Sequence, residues 1–197
     1  MPSAPAWFHC TFGQKPRPIA KRRCPQHYAP GSPPNARRTR EEALAITCTS
    51  YGCGLVALST DSRGEDAFVE RVAQEAATAR ACFALFFYSR SLFESERLAE
   101  AIRRRLAGLP HAGCTTAGEI TPDGLLEGQA VALLFPAHSF AAAATLLRDI
   151  STSDIGRVSA EVDALRRSFT AGRAQSSVFA ICLIDGLSFA EESVTSA

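Results

Sequence analysis

The chain has 197 residues, of which 46% are hydrophobic and 21% charged. This composition predicts one soluble globular domain, with enough chain to bury a substantial core. No apolar run is long enough for a secretory signal or a membrane span, so we expect a cytoplasmic protein that does not cross a membrane.

The net charge of +1 conceals a basic N-terminal segment. Residues 1–40 hold eight basic residues, no acidic residue and eight of the 11 prolines. Such a segment cannot bury enough apolar surface to offset the entropy of ordering, so we predict a disordered basic, proline-rich tail ahead of a folded region at 41–197. The alternatives are a nucleic-acid or membrane arm, a transit peptide, a solvated leader, and translated sequence upstream of the natural start of the domain. We favour the last two and expect no specific nucleic-acid partner, because basic tails attract polyanions unspecifically.

The seven cysteines form no Cys-x-x-Cys pair, and we expect reduced thiols. His9, Cys10, Cys24 and His27 match no standard zinc spacing, so we predict no metal site.

The first predicted elements alternate between strand and helix. Residues 55–59 (LVALS) and 81–89 (ACFALFFYS) read as buried strands. Between them, one helical face carries Phe68, Val72, Ala76 and Ala79. A capping box at Ser91 and Glu94 predicts the start of a second helix, with Leu98, Ile102 and Leu106 buried and with Gly108 and Pro110 ending it.

The second half continues this alternation. Residues 112–114 predict a short strand, and Thr121-Pro-Asp-Gly124 predicts a turn. Residues 130–135 and 140–147 suggest a hairpin, although the alanine run at 141–144 also suits a helix. An amphipathic helix is then predicted, with Ile155, Val158, Val162, Leu165 and Phe169 on its apolar face and Gly172 at its end.

Residues 178–185 predict a last buried strand. A capping box at Ser188 and Glu191 then predicts the start of a helix, but only six residues of the chain follow it. We therefore expect a chain truncated at its C-terminus. Taken together, the elements predict an α/β fold, a mixed β-sheet with helices packed on it.

Residues 111–128 (HAGCTTAGEITPDGLLEG) are the most distinctive stretch. Cys114, at a strand end, could be a nucleophile, but no base is placed beside it, since His111 in an extended segment points to the opposite face. A small residue in a tight corner is the favoured interpretation. Glycines and hydroxyls at 113–118 could hold a small ligand, with Glu119 accepting a hydrogen bond from an ammonium group, or could serve the local turn. His111 and His138 are candidate metal or haem ligands, and each also suits an ordinary polar position.

A family resemblance follows from these residues. GCTTAGEITPDGLLEGQAVALLF (113–135), with LSTD (58–61), LFFYS (85–89) and LIDGLS (183–188) in order, resembles the FIST N-terminal domain. This resemblance implies a non-enzymatic sensory domain, which binds a small amino acid-like ligand, or haem and nitric oxide in some relatives, and signals to a partner such as a histidine kinase. It further implies that the family's C-terminal half is missing. A thiol enzyme using Cys114, an interaction module and a non-functional fragment are the alternatives. The ligand-binding residues that the motif implies are Gly113, Cys114, Thr115, Thr116, Gly118 and Glu119. Asp185 is added as a candidate because it follows the last predicted strand, a position that a helix-initiating loop explains equally well.

Overall fold

The computed structural model describes residues 45–121, 124–150, 154–171, 178–184 and 191–195, and the backbone alone at 8–13 and 22–23. The strands are β1 (Phe8–Gly13), β2 (Arg22–Arg23), β3 (Ile46–Ser50), β4 (Val56–Thr60), β5 (Ala81–Tyr88), β6 (His111–Thr115), β7 (Glu119–Thr121), β8 (Gly124–Leu126), β9 (Ala130–Pro136), β10 (Ala142–Thr145) and β11 (Val178–Leu183). The helices are α1 (Glu65–Ala79), α2 (Ser95–Arg105), α3 (Ile155–Thr170) and α4 (Glu191–Thr195).

The main sheet has the strand order β2-β3-β4-β9-β5-β6. Strand β9 lies antiparallel between β4 and β5, so these two strands run parallel to each other without touching. Strand β6 pairs with β5 in parallel. The predicted α/β fold with a mixed sheet is confirmed.

Helices α1 and α2 cover one face of this sheet. Helix α1 buries Phe68, Val69, Val72 and Ala76, and α2 buries Leu98, Ala101 and Ile102. They pack on alternate residues of the central strands, including Leu58, Ala84, Phe86 and Leu134. The predicted buried faces of both helices are confirmed, because a 3.6-residue period of apolar side chains leaves a helix few other ways to pack.

The opposite face of the sheet carries a second core. Phe83, Leu85, Ala112, Phe135 and Phe140 are buried there. Side chains of a second sheet, with the order β10-β1-β11, pack against this core. Helix α3 lies on β10 and buries Val158 and Phe169.

The predicted hairpin between residues 130–135 and 140–147 is wrong. Both segments contain strands, and the alanine run is β10 rather than helix. However, β9 has β4 and β5 as its two neighbours, and β10 pairs with β1 in the other sheet. Both edges of β9 are therefore occupied, which leaves none for β10.

The predicted capping box at Ser91 and Glu94 is also wrong. Helix α2 begins at Ser95, and its N-cap residue Glu94 makes no side-chain cap bond. Instead, the Glu94 N–H donates to the Glu65 Oε1 atom of α1 at 3.0 Å. The Ser91 hydroxyl lies 2.8 Å from that of Ser89. A carboxylate from the neighbouring helix has replaced the local serine, since both satisfy the same free N–H groups.

The last strand is present but not buried as predicted. In β11 the side chains of Phe179, Ala180 and Cys182 are exposed. Three predictions fall on residues outside the described ones: most of the tail, where only β1 and β2 are described, the end of α3 at Gly172, and the second capping box at Ser188. The disordered tail stays a prediction. No helix among the described residues is long and apolar enough to cross a bilayer.

Candidate functional site

The parallel strands β4, β5 and β6 all end at one edge of the main sheet, which we call the carboxyl edge. Thr60 and Tyr88 both pair with Ala130, the first residue of β9, and Tyr88 also pairs with Thr115. The loops that follow these strands, together with the segment before β9, therefore converge there. In α/β folds this edge is where ligands bind.

Glu119 is the buried centre of the corner that follows β6. Its side chain is among the largest fully buried ones, with 1% exposure. One carboxylate oxygen, Oε1, accepts a hydrogen bond from Thr116 Oγ1 at 2.5 Å. The other, Oε2, accepts from the Gln129 N–H at 3.0 Å. The carboxylate thus ties the loop after β6 to the start of β9.

Further hydrogen bonds extend this corner across the edge. The Thr116 N–H donates to the Tyr88 carbonyl at 3.0 Å, and the Ser89 N–H donates to the Gln129 carbonyl at 2.9 Å. Ser89 and Ser91 share a hydroxyl–hydroxyl bond. An Arg63 guanidinium nitrogen lies 3.4 Å from the Ser91 carbonyl. A connected set of polar groups therefore runs from the loop after β4 to the loop after β6.

Several groups at this edge are available to a ligand. Thr115 and Arg90 are exposed, and neither side chain has a hydrogen-bond or ion-pair partner among the residues that the structure describes. Arg63 is exposed, and among the described residues its one hydrogen-bond partner is the Ser91 carbonyl, at the long distance given above. Asp61 is also exposed, and it accepts from the Ser62 hydroxyl at 3.2 Å. The edge thus offers two guanidinium groups, hydroxyls and one carboxylate.

Cys114 lies on β6 opposite Phe87, on the sheet face that packs against the second sheet. His111 lies on the other face, where its ring meets Phe86 edge-on at 6.5 Å between centroids, as the strand alternation predicts. Burial raises the pKa of the Cys114 thiol. A nucleophilic cysteine needs the opposite shift, since the thiolate is the reactive form. This setting favours the role of a small packed residue.

The two described histidines with placed side chains lie away from the carboxyl edge. His111 opens β6 at its other end, and its Nδ1 lies 2.9 Å from the Leu109 carbonyl oxygen. His138 sits in the turn after β9, beside Gly54. Neither reaches the corner around Glu119, and no group of three or more potential metal ligands occurs among the described residues. Neither His111 nor His138 is therefore placed to ligate a haem or a metal at this corner.

The other site residues predicted from sequence take different places. Gly113 approaches β5 so closely that an ideal Cβ would lie 2.6 Å from the Phe86 carbonyl oxygen. Gly118 has more room, with Leu125 Cδ1 at 3.5 Å from its ideal Cβ. Asp185 lies outside the described residues, directly beyond the Leu183 end of β11 and Ile184. Thr115, Thr116 and Glu119 are brought together at the carboxyl edge.

Two features of this edge escape the sequence prediction. Arg63, Ser89, Ser91 and Gln129 join the corner, and their position directly after or before sheet strands is the signal that identifies them. The hairpin of β7 and β8 is the second feature. It buries the polar side chains Glu119 and Thr121, yet it exposes the cross-strand pair Ile120 and Leu125 by 83% and 75%. Because side chains alternate between the two faces of a strand, Ile120 lies on the face opposite Glu119 and Thr121.

Comparison with known proteins supports one assignment. The sequence matches the family described as FIST N domain over residues 82–197, more than half of the chain. This match includes the corner at 113–119 and extends through the last described helix. No curated protein and no solved structure matches the chain.

Proposed function

The chain belongs to the FIST N domain family, whose members are sensory domains of signal-transduction proteins, and on that premise we propose that it binds a small ligand at the carboxyl edge and signals its occupancy to a partner. The single observation that carries the proposal is the hydrogen-bonded corner centred on Glu119. A buried carboxylate with protein donors on both oxygens holds the loop in one conformation, which is what a preformed binding site requires.

The groups left open at this edge select the ligand class. Arg63 and Arg90 suit a carboxylate, because a guanidinium presents paired N–H donors to its two oxygens. Asp61 suits an ammonium group, and the Thr115 hydroxyl suits either a donor or an acceptor. A free amino acid carries both charged groups, so it is the ligand that we propose.

The residues of the corner then divide into two roles. Thr115 and the open guanidinium groups touch the ligand. Thr116 and Glu119 position the loop, because the carboxylate is buried and both of its oxygens already accept hydrogen bonds. Gly113 and Cys114 belong to strand β6, and Gly118 shapes the turn that follows it. Asp185 is the remaining residue that we propose to lie near the ligand.

The proposed output is non-enzymatic. A bound ligand changes the surface at the carboxyl edge, and a signalling partner such as a histidine kinase reads that change. The raised pKa of Cys114 supports a binding role over thiol catalysis.

The test is a thermal-shift screen of the full chain against the common amino acids, followed by calorimetric titration of each hit. A ligand at 100 times its Kd stabilises the folded state by about 2.7 kcal/mol. Arg90→Ala and Thr115→Val should each weaken binding at least tenfold. Arg103→Ala is the matched control, because Arg103 is another exposed arginine, near the far end of α2. The proposal fails if no amino acid stabilises the chain, or if all three variants bind alike.

A further inference from the structure

The carboxyl edge of the main sheet ends in a row of four polar residues, which we call the polar row. Asp61 follows β4, Gln129 precedes β9, Ser89 follows β5 and Thr116 follows β6. Strand β9 lies between β4 and β5, and Ala130 pairs with the last residue of each. Gln129, the residue before Ala130, therefore lies in the row between Asp61 and Ser89.

The side chain of Gln129 differs from its neighbours in the polar row. The hydroxyls of Ser89 and Thr116 are hydrogen-bonded within the corner, and Asp61 accepts a hydrogen bond from the Ser62 hydroxyl. The carboxamide of half-buried Gln129 has no hydrogen-bond partner among the residues that the structure describes. Its oxygen and its two N–H donors are therefore open to a ligand.

The backbone of Gln129 is held from both sides. Its N–H donates to the Glu119 Oε2 atom at 3.0 Å, and its carbonyl accepts from the Ser89 N–H at 2.9 Å. The open carboxamide therefore starts from a fixed backbone position. A group that selects a ligand needs such support, because a loosely held group adapts to many ligands.

The charges around the polar row limit the ligand further. Arg63, Arg90 and Asp61 are exposed at the carboxyl edge, and a second exposed carboxylate, that of Glu127, lies beside it on the segment that leads into β9. The carboxylate of buried Glu119 already accepts two hydrogen bonds from protein donors. The exposed groups thus match the carboxylate and the ammonium of an amino acid. They leave no surplus positive charge to attract an acidic side chain, and the two guanidinium groups repel a basic one.

The following inference rests on the proposed function and names its ligand more closely. We infer that the ligand is an amino acid with a carboxamide side chain, glutamine or asparagine, and that Gln129 is the residue that selects it. An apolar ligand side chain would displace water from the Gln129 carboxamide without returning a hydrogen bond, which costs binding free energy. Two carboxamides placed side by side exchange two hydrogen bonds, because each carries both a donor and an acceptor. A ligand of this class therefore replaces the lost water on both partners.

The test compares glutamine with methionine as ligands, because the two are similar in length and only glutamine has a carboxamide. In calorimetric titration of the full chain, the Kd for glutamine should be about tenfold lower than that for methionine, a ratio that the hydrogen bonds of one carboxamide pair supply. Gln129→Met should abolish this ratio, since it keeps the length of the side chain and removes its polar groups. Gln74→Met is the matched control and should keep the ratio, because Gln74 is an exposed glutamine on α1.

Alanine as a third ligand separates selection from a structural role of Gln129. Its methyl group offers the carboxamide no hydrogen bond, so the natural chain and Gln129→Met should bind alanine alike. Loss of alanine binding in Gln129→Met overturns the inference, because the residue would then support the site as a whole.

The remaining outcomes distinguish this inference from the proposed function. If amino acids bind but methionine binds as tightly as glutamine, or if Gln129→Met keeps the preference, the inference is wrong and the proposed function stands. If no amino acid binds, the proposed function is wrong and the inference falls with it. The comparison of glutamine with methionine on the natural chain decides the matter even if Gln129→Met fails to fold.

Discussion

Gly113 and Phe86 lie on adjacent parallel strands at a separation that leaves no room for a methyl group. An ideal Cβ at residue 113 would lie 2.6 Å from the Phe86 carbonyl oxygen and 2.8 Å from its Cβ. Both obstacles belong to rigid parts of the central strand β5. The first glycine of the family motif is therefore required by the contact between two strands, whatever the ligand.

Gly113→Ala should consequently lower the free energy of unfolding by about 1–3 kcal/mol, the usual range for overpacking. Gly118→Ala is the matched control, since the nearest atom to its ideal Cβ lies at an ordinary 3.5 Å. We expect it to cost less than about 1 kcal/mol, the ordinary range for such a change. Urea denaturation of both variants checks this, and equal losses would contradict the close approach at Gly113.

Glu119→Ala should cost about 2–4 kcal/mol, because it removes a buried side chain and leaves the Thr116 hydroxyl and the Gln129 N–H without their acceptor. Glu127→Ala provides the control, since Glu127 is exposed on the same segment and should change stability by less than about 0.5 kcal/mol. Chemical denaturation measures both. A Glu119→Ala protein as stable as the control would show that the corner is not held by this carboxylate.

Glu65→Ala should destabilise helix α2 although Glu65 belongs to α1. Its Oε1 accepts the Glu94 N–H, and loss of a capping acceptor costs about 0.5–2 kcal/mol. Ser91→Ala should cost less, because the exposed Ser91 does not cap the helix. Helical circular dichroism and thermal unfolding of the two variants distinguish the structure from the capping box expected from sequence, which requires the reverse order.

Cys114 should react slowly with iodoacetamide at neutral pH, and its rate should reach half-maximum at a pH above that of a free cysteine, about 8.5. The reason is that burial raises the pKa of this thiol. Because the pKa of this thiol is higher in the folded than in the unfolded protein, the thiol contributes stability below its unfolded-state pKa. That contribution is lost as the pH rises through its folded-state pKa. The Cys114→Ala protein lacks this loss. Mass spectrometry across pH follows the modification. An alkylation rate that reaches half-maximum below pH 8 would support the alternative that Cys114 is the nucleophile of a thiol enzyme.

The strands of the main sheet could be predicted from sequence, but their neighbours could not. Residues 81–88 and 130–136 are continuous apolar runs, and such runs fit strands covered on both faces. An apolar run does not indicate which strand lies beside it, and so the sequence predicts a hairpin between 130–135 and the segment at 140–147. The structure instead inserts it between β4 and β5.

The candidate site likewise has a part that the sequence predicts and a part that it does not. The motif at 113–119 predicts a corner after a strand, and Thr116 and Glu119 do form one. The bond from the Gln129 N–H to Glu119 and the approach of Arg63 to Ser91 depend on strands being brought side by side. Local patterns predict contacts within a few residues, whereas these contacts depend on the order of strands in the sheet.

The insertion of β9 between β4 and β5 also constrains how the protein is made. During synthesis, β4, α1, β5, α2 and β6 leave the ribosome before the strand that joins β4 to β5. Strands β4 and β5 are therefore synthesised before the strand that pairs with both of them. Pairings between residues distant in sequence slow folding and prolong the time during which apolar strands can aggregate. The late arrival of one central strand therefore leaves the edges of β4 and β5 that it later joins without a partner in a growing chain that ends before residue 130.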